Sequence, residues 1–244
     1  MSRRLRLGVL AVGLLVLVGM LAWAVSDLPA FGDFHGRLGR QLAHDAMRDR
    51  GATNSVVVTT FDYRGVDTLI EEFILFTSVV GVTVLLRIQR GEEQEPDQEP
   101  EEAQASEAMR WAIVGLVGPV ALLALYVVTH GALTPGGGFQ GGVVLMTSVL
   151  LVFLSGQYVL SQLRGHTSLE VVHGAGAVAF AMIALGGLVA GAAYFHNFIS
   201  PHGSGLLAGG TIQLSNLSVG LEVMGATLLV LTELLDQRFL RPPR

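Results

Sequence analysis

An acid inside a long apolar segment costs about 3 kcal/mol, so such a residue faces a cavity, water or a partner. Glu222 is the deepest of these. It follows Asn216-Leu217-Ser218-Val219-Gly220-Leu221 in an apolar run, with no basic residue within a turn. It reads either as a buried proton or cation site or as a protonated acid bonded to a neighbouring chain. Asp67 and Glu71 stand four apart where another apolar run begins, on one helical face, with Glu72 directed elsewhere. Two like charges so placed hold a proton or attract a cation. Acids are also favoured at a helix start for its dipole alone, and that simpler reading stays open. Glu170 and His173, three apart, set a carboxylate beside an imidazole. Such a pair relays a proton near neutral pH, or is only an interfacial pair. Glu233 and Asp236 close their run and need no special reading. His130, His196 and His202 gather toward one side of the chain, but their spacing matches no compact metal site.

The elements that would position these groups are apolar helices. The chain has 244 residues, 51% hydrophobic and 14% charged, with a mean hydropathy of +0.56. Soluble domains carry about 25% charged residues, so a membrane protein is expected. Cysteine is absent, which excludes disulfides, thiolate metal sites and cysteine catalysis. All 15 basic residues are arginine. Lysine titrates readily when buried whereas arginine stays charged, so a lysine relay must belong to a partner. Nothing matches a hydrolase triad, a dinucleotide loop, a haem or iron–sulfur site, or a nucleic-acid surface. No cofactor is expected, and the chain is not expected to be an enzyme by itself.

Six apolar runs are long enough to cross a bilayer, near 7–25, 69–86, 109–129, 139–162, 170–195 and 214–236. The first reads as a retained span, because it is nearly full length and Ala22-Trp23-Ala24 is a weak cleavage signal. In the polar segment that follows, Leu38, Leu42, Ala46 and Met47 share a helical face among Arg37, Arg40, Arg48 and Arg50. That helix would lie on the membrane surface or against a neighbouring protein. Val56-Val57-Val58-Thr59-Thr60-Phe61 favours a short extended piece. Residues 91–108 are rich in Glu, Gln, Asp and Pro and read as a disordered linker. The expected fold is therefore all-α and polytopic: a two-span unit over 1–90, the linker, and a four-span unit over 109–244. Arginine placement puts both termini in the cytoplasm. In the fifth span Gly174, Gly176, Ala179, Gly187 and Gly191 are small. Gly187 and Gly191, four apart, would let another helix approach closely.

Between the third and fourth spans lies Thr134-Pro135-Gly136-Gly137-Gly138-Phe139-Gln140-Gly141-Gly142. Pro135 cannot continue the incoming helix but can open the next at its first position, with Thr134 as cap. Its five glycines make a hairpin that another chain, an ion or a facing helix can approach. No Lys-Ser or Lys-Thr follows them, which argues against a phosphate loop.

Residues 131–142, Gly-Ala-Leu-Thr-Pro-Gly-Gly-Gly-Phe-Gln-Gly-Gly, resemble the hallmark of the MnhB family, one of the component families of Mrp-type multisubunit sodium/proton antiporters. Four spans over 109–236 and the stretch Asn216 to Val223 agree with that likeness. Separately, Phe61-Asp62-Tyr63-Arg64-Gly65-Val66-Asp67-Thr68-Leu69-Ile70-Glu71 is similar to the C-terminal part of the large subunit of those antiporters. The same module forms a small subunit of membrane-bound hydrogenase-like complexes. Together the two likenesses cover about 54–87 and 108–236. They imply a multi-pass subunit of a plasma-membrane sodium/proton antiporter, related to the membrane arm of respiratory complex I. Its partners would be other membrane subunits and the lipid bilayer, and the ions Na+ and H+. The implied acidic motif is Asp67 with Glu71. The alternative implied is a membrane-arm subunit of a hydrogenase-like or other redox-driven ion pump. Three departures stand out. Both modules share one chain, Glu71-Glu72 replaces a single glutamate, and many antiporter versions carry an aspartate near Asn216 with no acid at Glu222.

Overall fold

The structure, a computed structural model, describes residues 3–26, 28, 36–86, 106–155, 166–191, 193–199 and 208–240. The acidic linker, the expected end of the fourth span and His202 lie outside the described residues. The elements are helical: α1 (Arg3–Ser26), α2 (Arg37–Arg50), α3 (Ser55–Val58), a π-helical turn (Thr59–Tyr63), α4 (Gly65–Leu86), α5 (Glu107–Thr129), α6 (Gly138–Leu154), α7 (His166–Val189) and α8 (Thr211–Leu240). Five of them, α1, α4, α5, α7 and α8, are long and apolar enough to cross a membrane, and α6 adds a shorter apolar helix. The all-α polytopic class is as expected.

The chain divides into two compact units, Met1–Arg40 and Gln41–Arg244. The first is chiefly α1, apolar on every face. In the second, α8 is the central post. α7 packs along it, α6 crosses its first half, and α4 lies against both α7 and α8, while α5 forms a hairpin with α6. Of the apolar stretch of α8, 61% is buried, against 17–28% for α4, α5 and α7, so α8 is the core helix. Its Ile212, Val219 and Val223 join Val57, Val58, Phe61, Phe180 and Phe195 in one cluster, and its Ala226, Leu228 and Leu229 join Val79 and Leu169 in another.

Glycine permits these crossings. A Cβ on Gly142 would stand 2.8 Å from Gly220 O, and one on Gly225 would stand 2.8 Å from His173 N. Gly187 instead packs under the turn at Ala193–His196, and nothing lies within 4 Å of a Cβ on Gly191. Within this chain, then, Gly187 meets a turn, and Gly191 meets no helix. Gly191, at φ +78°, turns the chain out of α7, and Phe195 N returns to Ala184 O at 3.2 Å. This ends the fifth span at Val189 and not at 195.

The expected extended piece at 56–61 is also overturned. Asn54 caps a helix there, its Oδ1 accepting from Val57 N at 3.4 Å. Packing then overrides β propensity, because a helical turn buries Val57, Val58 and Phe61 together against the bundle. In α2 Ala46 is buried and Leu42 half-buried, whereas Leu38 and Met47 of the expected face are exposed.

Candidate ion site

At the end where α4, α6 and α8 begin, a half-open cleft of about 240 Å³ lies between the π-helical turn, α4, the glycine-rich loop and α8. Its shape depends on the loop, which Asn54 grips. The Asn54 side-chain amide donates to Gly131 O at 2.8 Å and Thr134 O at 3.0 Å, and its backbone N donates to Ala132 O at 3.1 Å. The Thr53 hydroxyl donates to Leu133 O.

Pro135 does not open α6, and Thr134 does not cap it. Gly136 and Gly137 take φ of +130° and +147°, a region closed to helix and favourable to glycine. The helix therefore starts at Gly138. Its first N–H is satisfied from across the interface, by Asn216 Oδ1 of α8 at 2.9 Å. Thr134 turns back, its hydroxyl donating to His130 O at 3.2 Å. A Cβ on Gly137 would come 2.9 Å from that same Asn216 oxygen, so the glycines let loop and α8 meet. Phe139 is exposed at the cleft, while Gly141 and Gly142 are buried in the helix contacts.

On the other wall the π-type bond from Arg64 N to Thr59 O, 2.8 Å, feeds directly into α4. The Thr68 hydroxyl donates to Thr60 O at 2.7 Å and fixes the first turn of that helix. Asp67 is exposed and ion-paired with Arg64, and Glu71 is exposed at the cleft. The acid that points inward is Glu72, which lines the cleft and is 3% exposed. Glu72 thus does face elsewhere than Asp67 and Glu71, as expected, but that direction is inward, and it was not singled out as a site residue. Thr68, Glu72 and Val79 form the buried stripe of α4, so a helical wheel anchored on its packing face would have found Glu72.

Glu72 lies near Glu222 of α8, with no hydrogen bond between the two carboxyls. Glu222 is fully buried, and both its carboxyl oxygens, with Glu72 Oε2, lack a hydrogen-bond partner among the described residues. One turn deeper His173 of α7 is also buried. Its ring stacks on Phe76 at 5.0 Å, and its Nδ1 lies 3.3 Å from the Glu222 main-chain oxygen. Glu170 is exposed, so the expected Glu170–His173 pairing gives way to one between His173 and α8. Gly176 makes this possible, since a Cβ there would stand 2.5 Å from Glu222 N. His130 stacks on Tyr126 at 4.3 Å, and His196 is exposed. Among the described residues no group of three or more His, Asp or Glu could hold a metal ion. Asn54 and Asn216, which set the loop, were not singled out for this from sequence. Their partners lie about eighty residues away, and nothing local marks them.

A family model described as a domain related to the MnhB subunit of Na+/H+ antiporter matches residues 108–229, half of the chain. The chain belongs to this MnhB-related family. Its match takes in α5, α6, α7 and α8 as far as Leu229, hence the glycine-rich loop, His173 and Glu222, while Glu72 stands outside the MnhB-related region. An uncharacterized protein of Methanocaldococcus jannaschii is 27% identical over 190 residues, 70% of this chain and 72% of that protein. A probable A/B-type subunit of a K+/H+ antiporter from Rhizobium meliloti is 29% identical over 185 residues, 67% of this chain and 18% of that longer protein. Among solved structures, a chain of the membrane-bound sulfane sulfur reductase, an archaeal respiratory membrane complex, superposes with a TM-score of 0.74 at 27% identity. That match covers 95% of this chain and 98% of the other. A chain of the Mrp complex from Dietzia sp. shares the fold with a TM-score of 0.70 at 22% identity, over 96% of this chain and 26% of the other.

Proposed function

We propose that this chain is a membrane subunit of a multisubunit monovalent-cation (Na+)/proton antiporter-like complex, holding the assembly together and lending it an acidic ion path. It sits in the plasma membrane with both termini in the cytoplasm. Family membership and the fold shared with a chain of the Mrp complex support the subunit role. The observation that carries the ion path is the cleft that ends on Glu72, near the buried carboxyl of Glu222, which has no hydrogen-bond partner among the described residues. Glu71 at the cleft attracts cations, with Asp67 one turn before it on the same face, Glu222 and His173 continue inward, and Glu170 stands near the start of α7, away from the cleft. Residues 1–90 act as a module like the end of the large antiporter subunit and 109–244 as the MnhB-like module, joined by 91–108. The relative of combined A/B type supports that pairing. The chain has no enzymatic activity of its own, and any redox chemistry belongs to partner subunits.

Affinity purification in mild detergent, followed by exchange measurements in vesicles, tests this. Several membrane subunits should co-purify, and deleting the chain should abolish cation/proton exchange until it is supplied again. A chain that purifies alone, with exchange unaffected by its loss, would refute the proposal. A second reading, a membrane-arm subunit of a redox-driven ion pump, is favoured by the near end-to-end match to a chain of the archaeal respiratory complex. Flavin, haem or iron–sulfur absorbance in the co-purified material would select it.

A further inference from the structure

Three buried groups on three helices follow one another inward from the cleft. Counted at the helical rise from the start of α4 and of α8, Glu72 is about 10 Å deep and Glu222 about 16 Å. His173 lies opposite Gly225, almost a turn further along α8. The tautomer of His173 follows from its partner. A carbonyl oxygen can only accept, so Nδ1, beside Glu222 O, carries the hydrogen, and Nε2 of the neutral ring is a bare lone pair. That nitrogen is buried with no hydrogen-bond partner among the described residues.

Among the described residues no ion pair reaches the two acids. α4 brings Asp67, Glu71 and Glu72, α7 brings Glu170 and His173, and α8 adds Glu233 three turns below Glu222. α6 carries no ionisable side chain, Arg50 is paired with Asp62, and Arg64 is paired with Asp67. Two neighbouring carboxylates buried in an apolar interior are strongly destabilised while both are charged, so a positive charge is held between them. A proton neutralises one carboxylate with no further ligands, whereas a metal cation needs a shell of oxygens, and among the described residues no group of three or more His, Asp or Glu could hold a metal ion. The nearest hydroxyls and amide make hydrogen bonds of their own: Thr68 donates to Thr60 O, Ser218 donates to Leu214 O, and Asn216 Oδ1 accepts from Gly138 N.

We propose that Glu72 and Glu222 hold one proton between them and that His173 Nε2 is the next acceptor, so the ion passing through this interior is a proton. This rests on the ion-path reading above. A proton arriving from the cleft binds the Glu72 carboxylate and makes the pair neutral. When the Glu222 side chain swings into reach of His173 Nε2, with which it makes no hydrogen bond in the structure, its O–H bond breaks, an N–H bond forms at Nε2, and the pair returns to a single negative charge beside an imidazolium. No electrons move, and His173 resets by releasing its proton toward the start of α7, away from the cleft.

The test uses the purified whole complex, read by infrared spectroscopy and by proton and sodium fluxes in proteoliposomes. The wild type should show a carboxylic-acid C=O stretch at neutral pH that shifts in D2O. It should vanish in the Glu72→Gln/Glu222→Gln double variant and move in Glu222→Asp. Proton flux should fall on the order of 100-fold in Glu222→Gln and His173→Gln, while Glu222→Asp keeps part of it with a displaced pH profile. Absence of the acid stretch in the wild type overturns the proposal and needs no variant to assemble. So does normal proton flux in assembled Glu222→Gln, or a loss confined to sodium flux, which would mark a metal-cation site. If the wild-type complex exchanges no ions at all, the antiporter reading fails, while the infrared measurement still judges the proton site.

Discussion

Replacing Gly176 by alanine gives the sharpest test of how α7 and α8 meet. The added Cβ would stand 2.5 Å from Glu222 N and 2.7 Å from its Cα. That is about 0.9 Å inside ordinary contact, and the atoms struck belong to helical backbone, which cannot rotate away. α7 must then retreat by about an ångström, and overpacking of this kind costs about 1–3 kcal/mol. The His173 Nδ1 to Glu222 O contact is already long at 3.3 Å, so the same retreat ends it. Gly174, two residues earlier on the same helix, is the control, because a Cβ there meets nothing within 4 Å. Both variants would be compared with the wild type in detergent by thermal unfolding of the intact chain. Gly176→Ala should melt lower by about 2–4 °C per kcal/mol lost, whereas Gly174→Ala should melt at or slightly above the wild type, because alanine favours the helix over glycine by about 1 kcal/mol. Equal melting of the two variants would refute the helix crossing, and with it the placement of His173 on Glu222.

Asn54→Ala removes a helix cap and the loop's amide donor, about 2 kcal/mol together. Because the chain has no cysteine, a Phe139→Cys reporter can be alkylated selectively at the cleft, and its labelling rate should rise when Asn54 is lost. An unchanged rate would mean the loop is held some other way. Arg50→Ala strands Asp62, whose side chain is only 4% exposed, and should cost about 3 kcal/mol in thermal unfolding. Arg64→Ala breaks a solvent-screened pair with Asp67 and should cost under about 0.5 kcal/mol. The reverse order would refute the burial assigned to the two pairs. Asn216→Ala leaves the buried Gly138 N–H without a partner, about 1–3 kcal/mol, whereas Asn216→Asp retains an accepting oxygen there and should unfold at a temperature closer to wild type.

What the sequence disclosed is what periodicity and composition carry. Apolar runs of span length became helices, Glu222 was recognisable as a deep acid, and the glycine-rich stretch proved to be a loop beside the cleft. The failures share one physical cause, that the deciding partner is distant along the chain. Glu71 and Glu72 are adjacent, and only the position of α8 makes Glu72 the buried one. The Val56–Phe61 run has β-branched residues enough for a strand, yet the bundle it covers buries more of it as a helix. Thr134 and Pro135 fit the pattern of a helix start, but a cap donated from α8 moves that start to Gly138.

The division of the site along the chain gives the fusion of its two parts a physical meaning. Glu72 precedes the acidic linker, whereas His173 and Glu222 follow it, so neither half contains the carboxyl pair. A buried unpaired acid is costly for each half by itself, and the two become mutually tolerable only when one proton is shared across the α4–α8 contact. Halves supplied as separate polypeptides would have to find each other in the membrane and would pay the entropy of doing so. A linker of moderate length replaces that search with an effective concentration in the millimolar range. Cutting the chain within 91–108 and expressing both pieces should therefore leave each fold intact, yet lower recovery of the paired site at low expression and restore it at high expression. Recovery independent of expression level would show that the α4–α8 contact is strong enough to need no tether.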